Sequence, residues 1–310
     1  MKRILVTGGC GFLGGHLVAA LEQRGDEVIV VGRDKKPQVC FWSESPYAII
    51  YGDCQDLALM RRVITEYTID TVVHLAAQTQ VSVGQENPEG MIRENVNGAL
   101  AVLEACRLHG VKKVVVASTD KVYGESDDAY HETTPLLERN AYGVSKACVD
   151  MVAQTYLKSF GLPVAITRCG NLYGPGHMNW STLIPGTIRR VHRCESPVLR
   201  FGGKATRDFL HIDDAVQAYL CLIDSDACGP FNFSGRDPRT ILNIVELIMQ
   251  HMELRLKINF QESGAGEIKA QALNCARARD VLGWTSRVGF EDGLRRTVKW
   301  YQQWLSSTTA

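Results

Sequence analysis

The sequence lacks three features that would take it out of the ordinary soluble globular class. Its 34 basic and 34 acidic residues leave no net charge, so neither nucleic acid nor an anionic membrane surface is favoured as a partner. Its ten cysteines include no Cys-x-x-Cys pair and no tight His/Cys cluster, which argues against a disulfide framework and a metal site. No apolar run approaches the roughly 18 residues of a membrane span. The first apolar strand also leaves no space for a signal peptide, so we expect a cytoplasmic protein.

What the 310 residues do contain is an alternation of short apolar runs and segments with helical spacing. Such alternation predicts an α/β fold, a doubly wound parallel sheet of the Rossmann type. We predict strands at Lys2–Thr7, Glu27–Val31, Ala48–Tyr51, Thr71–Leu75, Val111–Ala117 and Pro163–Thr167, and helices at Leu57–Tyr67, Asn95–Leu108, Thr240–Met252 and Phe290–Leu305.

A glycine-rich turn follows the first predicted strand and precedes a segment with helical spacing. Gly9, Gly11 and Gly14 match the G-x-G-x-x-G pattern, and Gly8 adds a fourth glycine. Glycines allow a pyrophosphate to approach backbone amides, and the helix dipole favours its negative charge. The sequence therefore predicts dinucleotide binding by Gly8, Gly11, Phe12, Leu13 and Gly14.

The end of the second strand leaves the choice between NAD and NADP open. Counting about 20 residues from the last glycine reaches Asp34, an acceptor for the ribose 2′-hydroxyl of NAD. Counting from the strand end instead puts Gly32 at the position where an NAD-binding protein has its ribose-binding acidic residue. Arg33 lies beside it, and this arrangement suits a 2′-phosphate. We favour NADP, because the strand register fixes side-chain direction.

Further cofactor contacts are expected after the next two strands. Asp53 and Cys54 follow the third strand, where an acidic residue can accept from the adenine amino group or simply form a turn. Leu75, Ala76 and Ala77 end the fourth strand, and small side chains there let backbone approach a cofactor.

A polar stretch ends the fifth strand. Ser118, Thr119, Asp120 and Lys121 place two hydroxyls, a carboxylate and an amine where an open α/β sheet gathers its chemistry. Tyr142 and Lys146 lie four residues apart in a predicted helix and share one face. A nearby ammonium and a nicotinamide cation are expected to lower the pKa of Tyr142.

Together these motifs, with Arg168–Gly174 and Thr206–Asp214, resemble the extended short-chain dehydrogenase/reductases that act on nucleotide-sugars. The resemblance implies a Rossmann domain of residues 1–170 plus about 207–232, and a smaller α+β substrate domain of residues 171–206 plus 233–310. It also implies a tightly bound, recycled NAD or NADP, no metal, and a homodimer through Asn95–Leu108 and Ala141–Phe160.

Within that family the loop after Ser118 separates reactions, and Thr119-Asp120-Lys121 resembles the motif of CDP-glucose 4,6-dehydratase-like enzymes. The resemblance implies a nucleotide-hexose 4,6-dehydratase in which Tyr142, with Thr119 and Lys146, drives C4 oxidation. Asp120 would then be the acid and Lys121 the base of water elimination, although the two roles could be swapped. The alternatives are a nucleotide-sugar 4-epimerase and a non-catalytic dinucleotide sensor or scaffold.

The nucleotide-diphosphate-sugar is expected to lie beyond the nicotinamide. Arg207 is the candidate diphosphate clamp, in a loop before a helix that begins near Asp213, because a guanidinium binds such oxygens in bidentate fashion. A salt bridge to a neighbouring aspartate is its alternative. The other predicted substrate contacts are Gln78, Ser118, Thr119, Asn171 and Leu183.

Overall fold

The computed structural model describes residues 1–33, 48–126, 128–261 and 270–308. Asp34, one of the predicted cofactor contacts, lies outside these ranges. The described strands are β1 (Arg3–Thr7), β2 (Glu27–Gly32), β3 (Ala48–Tyr51), β4 (Thr71–His74), β5 (Lys113–Ala117), β6 (Val164–Cys169), β7 (Asn171–Tyr173), β8 (Val198–Arg200), β9 (Thr206–Arg207), β10 (Phe209–His211), β11 (Gly229–Phe233), β12 (Arg239–Thr240) and β13 (Asn259–Gln261).

Seven of these strands form one parallel sheet in the order β11-β6-β5-β4-β1-β2-β3. The chain runs outward from β1 in both directions, so the strand order reverses beside β1. Crevices outside the carboxyl ends of strands at such a switch point are where open α/β sheets bind ligands.

The described helices are α1 (Phe12–Gln23), α2 (Leu57–Glu66), α3 (Val81–Glu86), α4 (Pro88–His109), α5 (Ala141–Phe160), α6 (Leu183–His192), α7 (Ile212–Ile223), α8 (Ile241–His251), α9 (Ala276–Leu282) and α10 (Phe290–Thr308). Helices cover both faces of the large sheet. Val30 packs in the core with α1 and α7, whereas its neighbours Ile29 and Val31 pack with α2, α4 and α5. Alternate residues of a strand point to opposite faces, which is why both sides of β2 are apolar.

A third core lies among α6, α8 and α10, with Ile188, Ile248 and Leu294 at its centre. Strand β11 lies in the large sheet, and its partner is β6. These placements are compatible with the predicted division into a dinucleotide and a substrate domain, which stays a prediction. No helix among the described residues is long and apolar enough to cross a bilayer.

Most predicted elements are present with bounds shifted by one or two residues, but α4 begins seven residues earlier than predicted. Pro88 and Gly90 suggest a loop, yet Pro88 occupies the first turn of the helix, where its missing N–H costs nothing. The Asn87 side chain caps the helix by accepting from the Gly90 amide.

Candidate active site

A cavity of about 700 Å³ opens at the carboxyl ends of the central strands. Every described residue that was assigned to the site from the sequence lines it. They are Gly8, Gly11, Phe12, Leu13, Gly14, Arg33, Asp53, Cys54, Leu75, Ala76, Ala77, Gln78, Ser118, Thr119, Asp120, Lys121, Tyr142, Lys146, Asn171, Leu183 and Arg207. Their shared location does not test their individual roles, which stay predictions.

The turn after β1 has no space for side chains at two of its glycines. Gly8 has a φ of +71°, and a Cβ there would lie 2.7 Å from the backbone nitrogen of Ala76. A Cβ on Gly14 would overlap the Gly8 carbonyl oxygen. Helix α1 begins directly after Gly11, so its free amides lie at the cavity wall. This arrangement fits the pyrophosphate of a dinucleotide.

The residues expected near adenosine line the cavity after β2 and β3. Arg33 follows β2 and makes an exposed ion pair with Glu94, with 3.3 Å between Nη1 and Oε2. Both carboxylate oxygens of Asp53 accept from Gln55, at 2.9 Å from its amide and 3.1 Å from its side chain. Asp53 therefore forms the turn that was the alternative interpretation, while its side of the cavity remains open to a ligand.

The loop after β4 is fixed by a residue that the sequence analysis did not single out. Asn95 of α4 is buried; its Oδ1 accepts from the Gln78 amide at 2.7 Å and its Nδ2 donates to Ser145 Oγ at 2.8 Å. It thereby ties the loop to α5, the helix of Tyr142. A polar residue among the apolar positions of α4 was the signal available in the sequence.

The hydroxyl groups expected around a sugar do lie together. Ser118 and Thr119 are buried, and the Thr119 hydroxyl acts on the neighbouring Tyr142 in the direction that lowers the pKa of the phenol. Ser118 Oγ has no hydrogen-bond partner among the described residues. Because buried polar atoms are normally paired, this oxygen is suited to a ligand hydroxyl.

In the protein alone, the pKa of Tyr142 moves in the opposite direction to the one expected with a bound nicotinamide, and that expectation stays a prediction. Burial raises the pKa of Tyr142 to about 12, and the hydrogen bond with Thr119 offsets only part of that shift. Burial also lowers the pKa of Lys146 to about 8, against the opposing charge of Asp150. Desolvation outweighs the local charges, because removing a charge from water disfavours the ionised form of both groups.

Asp120 and Lys121 form a pair rather than an exposed turn. They begin a short 3-10 helix, Asp120–Tyr123, and Asp120 is 3% exposed. Lys121 Nζ lies 3.0 Å from Asp120 Oδ2, and Thr119 Oγ1 donates to Asp120 Oδ1 at 3.1 Å. A carboxyl and an amine at this distance can exchange a proton directly.

A second partner of Lys121 was missed by the sequence analysis. Gln271 is 3% exposed, and its Oε1 accepts from Lys121 Nζ at 2.6 Å. The two residues are 150 positions apart, so no local pattern could have joined them.

On the sugar side, Asn171 lies in β7 and Leu183 is the first residue of α6. Asn171 Nδ2 is buried without a hydrogen-bond partner among the described residues. Arg207 was predicted in a loop; it lies instead in β9, which pairs with β12, and its Nη1 donates to the Thr206 carbonyl at 2.8 Å. Two-residue strands have too few side chains to leave a pattern in the sequence.

A sequence profile described as the NAD dependent epimerase/dehydratase family matches residues 4–234. The chain belongs to this family. It is 32% identical over 317 residues to the dTDP-glucose 4,6-dehydratase of Mycobacterium tuberculosis, covering 97% of this chain and 93% of that protein. It is 30% identical over 319 residues to the mouse dTDP-D-glucose 4,6-dehydratase, covering 97% and 89%.

The chain is also similar to solved structures of nucleotide-sugar dehydratases and epimerases. A dTDP-glucose 4,6-dehydratase from Streptomyces venezuelae with NAD bound has a TM-score of 0.88 and 29% identity, covering 97% of both chains. A UDP-glucose 4-epimerase from Thermotoga maritima with UDP-glucose has a TM-score of 0.92 and 27% identity, covering 98% of this chain and 99% of the other. The predicted family and Rossmann fold are therefore confirmed.

Proposed function

We propose that this protein is a nucleotide-hexose 4,6-dehydratase that converts an NDP-hexose to the NDP-4-keto-6-deoxyhexose. The observation that carries the proposal is the Asp120–Lys121 pair, 3.0 Å apart on the wall of the cavity that Thr119 and Tyr142 also line. An epimerase needs the hydroxyl and phenol alone, whereas elimination also needs an acid and a base on one face.

C4 oxidation is assigned to α5 and the end of β5. Tyr142 as phenolate takes the proton of the sugar 4-hydroxyl, and Thr119, which lines the same cavity, holds the same oxygen. Lys146 is buried four residues further along the same helix, and its ammonium is assigned the role of stabilising the phenolate. When bound, the nicotinamide accepts hydride from C4 and returns it to C6.

Elimination is assigned to Asp120 and Lys121. Transfer of the shared proton from Lys121 Nζ to Asp120 Oδ2 gives a neutral acid and a neutral base. Lys121 then removes the C5 proton and Asp120 protonates the departing 6-hydroxyl, so that water leaves and the pair returns to its ionised state.

Substrate binding is assigned to Gln78, Ser118, Asn171, Leu183 and Arg207. Ser118 Oγ and Asn171 Nδ2 support this, since both are buried cavity-lining atoms without a hydrogen-bond partner among the described residues. Arg207 is half-buried and supplies the guanidinium for the diphosphate.

For the cofactor we propose NADP rather than NAD. Gly32 ends β2 where an acidic residue would accept the ribose 2′-hydroxyl, and Arg33 follows at the cavity wall. A 2′-phosphate would have to displace Glu94 from Arg33. Denaturing the purified protein and weighing the released dinucleotide tests this choice, and NAD alone would contradict it.

We also propose a cytoplasmic homodimer through α4 and α5. Leu100 and Leu108 of α4, with Met151 and Phe160 of α5, are apolar and between 37% and 57% exposed. The nine described cysteines are free, as expected in a reducing compartment. Sedimentation of the purified protein should give the mass of two 34.3 kDa chains.

Incubation with CDP-, GDP-, UDP- and dTDP-hexoses tests the reaction. A product lighter than its substrate by one water is expected from one nucleotide series. A thermal-shift panel of the same compounds identifies the base, because ligand binding to the native state raises its apparent stability. Conversion to an isomer of unchanged mass would make the protein a 4-epimerase. No conversion, together with normal dinucleotide binding, would favour the sensor or scaffold.

A further inference from the structure

Lys121 is the least constrained of the proposed catalytic groups. Its amine is at the end of a flexible four-carbon stem, and a quarter of its side chain is exposed. Asp120 supplies one anchor, but that residue is its direct neighbour in the chain and moves with it. A base that must reach one particular hydrogen needs a second anchor from elsewhere in the fold.

Gln271 supplies such an anchor. Its amide oxygen lies 2.6 Å from Lys121 Nζ. The orientation of the amide is decided by chemistry, since an ammonium only donates and must face the oxygen rather than the NH2 group. Gln271 Nε2 is buried and has no hydrogen-bond partner among the described residues, so within that part of the chain no second hydrogen bond of the amide competes with the contact to Lys121.

The segment that carries Gln271 is held against the loop after the 3-10 helix. Tyr130 donates its amide to the Ala272 carbonyl at 2.9 Å, and the Asn274 amide donates to the Tyr130 carbonyl at 2.9 Å. Asn232 Nδ2 bridges the carbonyls of Tyr130 and Asn274, at 3.0 and 3.2 Å. Gln271 therefore directly precedes a stretch of backbone that these hydrogen bonds hold in place.

We propose that Gln271 is the positioning residue for the Lys121 base, an inference that rests on the dehydratase reaction proposed above. The nitrogen of a neutral amine has four tetrahedral directions. One is taken by the carbon of its own stem, two by hydrogens and one by the lone pair. After Lys121 has passed one proton to Asp120, Gln271 Oε1 still accepts an N–H of the neutral amine, so the lone pair is confined to the two remaining directions. Without Gln271 the amine rotates freely about its stem.

The test is Gln271→Leu, which keeps the size of the side chain and removes the acceptor. We expect a KM close to wild type and a kcat about 10- to 100-fold lower, because misplacement by about 1 Å can cost that much. Reduced nicotinamide should accumulate during turnover, since C4 oxidation does not involve Gln271. The matched control is Gln250→Leu, at an exposed glutamine of α8, which should behave as wild type.

A second measurement does not depend on activity. In a double-mutant cycle, urea unfolding is compared for wild type, Gln271→Leu, Lys121→Met and the double variant of the cofactor-loaded protein. Coupled side chains give non-additive midpoint shifts, whereas a merely structural Gln271 gives the same shift with or without Lys121.

An additive cycle, or a Gln271→Leu variant with wild-type kcat and no trapped reduced cofactor, would overturn the inference. Failure of the proposed function looks different, because the wild-type protein itself would then remove no water from any NDP-hexose.

Discussion

The cofactor end of the cavity and its sugar end are built in different ways. At the proposed cofactor end, the turn of residues 8–11 runs directly into α1, and the groups that it presents to the cavity are backbone amides. At the sugar end, Lys121 depends on Gln271, and Tyr123 on Arg168 and Asn232, all far away in the chain. Where backbone forms the site, a side-chain atom added to a glycine finds no space. Where side chains form the site, their positions depend on contacts with residues far away in the chain.

The largest effect is expected from Gly14→Val. The new Cβ would overlap the Gly8 carbonyl oxygen and the turn would have to open. We expect a purified protein that retains no dinucleotide and unfolds well below wild type, as measured by mass spectrometry and thermal unfolding.

Gly289→Ala is the control, because no atom lies within 4 Å of a Cβ there. A cost of no more than about 1 kcal/mol is expected at this helix end. Retention of the cofactor by Gly14→Val would show that the turn is less constrained than its packing indicates.

Tyr142→Phe should remove the chemistry of the sugar end and keep the fold. Loss of the proton acceptor is expected to lower turnover about 10²- to 10⁴-fold. Product formation is measured by mass, with circular dichroism to check folding.

The matched control on the same helix is Tyr156→Phe. The hydroxyl that it removes contacts Glu104 outside the cavity. It should leave turnover unchanged. Wild-type turnover by Tyr142→Phe would support the non-catalytic sensor.

Arg168→Met tests the anchoring of the sugar end. Arg168 is 1% exposed, binds both carboxylate oxygens of Asp150 at 2.8 Å and donates to Tyr123 at 2.9 Å. Its removal leaves a buried carboxylate unpaired, and we expect a loss of about 3–5 kcal/mol in the free energy of unfolding. Urea unfolding gives this value.

Arg107→Met, which breaks the exposed pair with Glu104, should lower the free energy of unfolding far less, because solvent screens an exposed ion pair. Equal losses for the two arginine variants would mean that burial of the Asp150 pair contributes little.

The smallest effect is a pH-dependent gain in stability for Lys146→Met. The pKa of Lys146 is about 8 in the folded protein and near its ordinary value in the unfolded chain. Burying the ammonium therefore costs stability below pH 8, and that cost falls as the pH rises from 8 to about 10.5. We expect a gain of up to about 3 kcal/mol at pH 7, at about 1.4 kcal/mol per pKa unit.

The gain should shrink through the same pH range, and turnover should be lost. Urea unfolding at several pH values measures the effect, with the exposed Lys158→Met as control. A gain that does not change with pH would mean that packing rather than charge explains it.

Local patterns predicted the sheet, because buried parallel strands such as Val114–Val116 are apolar on both faces. They failed at the start of α4 and at the two-residue strand β9, where capping and long-range pairing decide the structure. The same limit applies to the site. Asn95 and Gln271 act through contacts with residues 17 and 150 positions away.

Local patterns were enough to predict the glycine turn, the order of strands and helices along the chain, and the residues that would meet at the carboxyl edge of the sheet. These follow from backbone sterics and from the alternation of apolar residues, which are local properties. The ionisation of the buried groups and the second contact of Lys121 depend on the folded chain. Burial raises the pKa of Tyr142 against its neighbours, and Gln271 reaches Lys121 only once the chain is folded. Desolvation and long-range contacts do not exist before folding, so no local pattern encodes them.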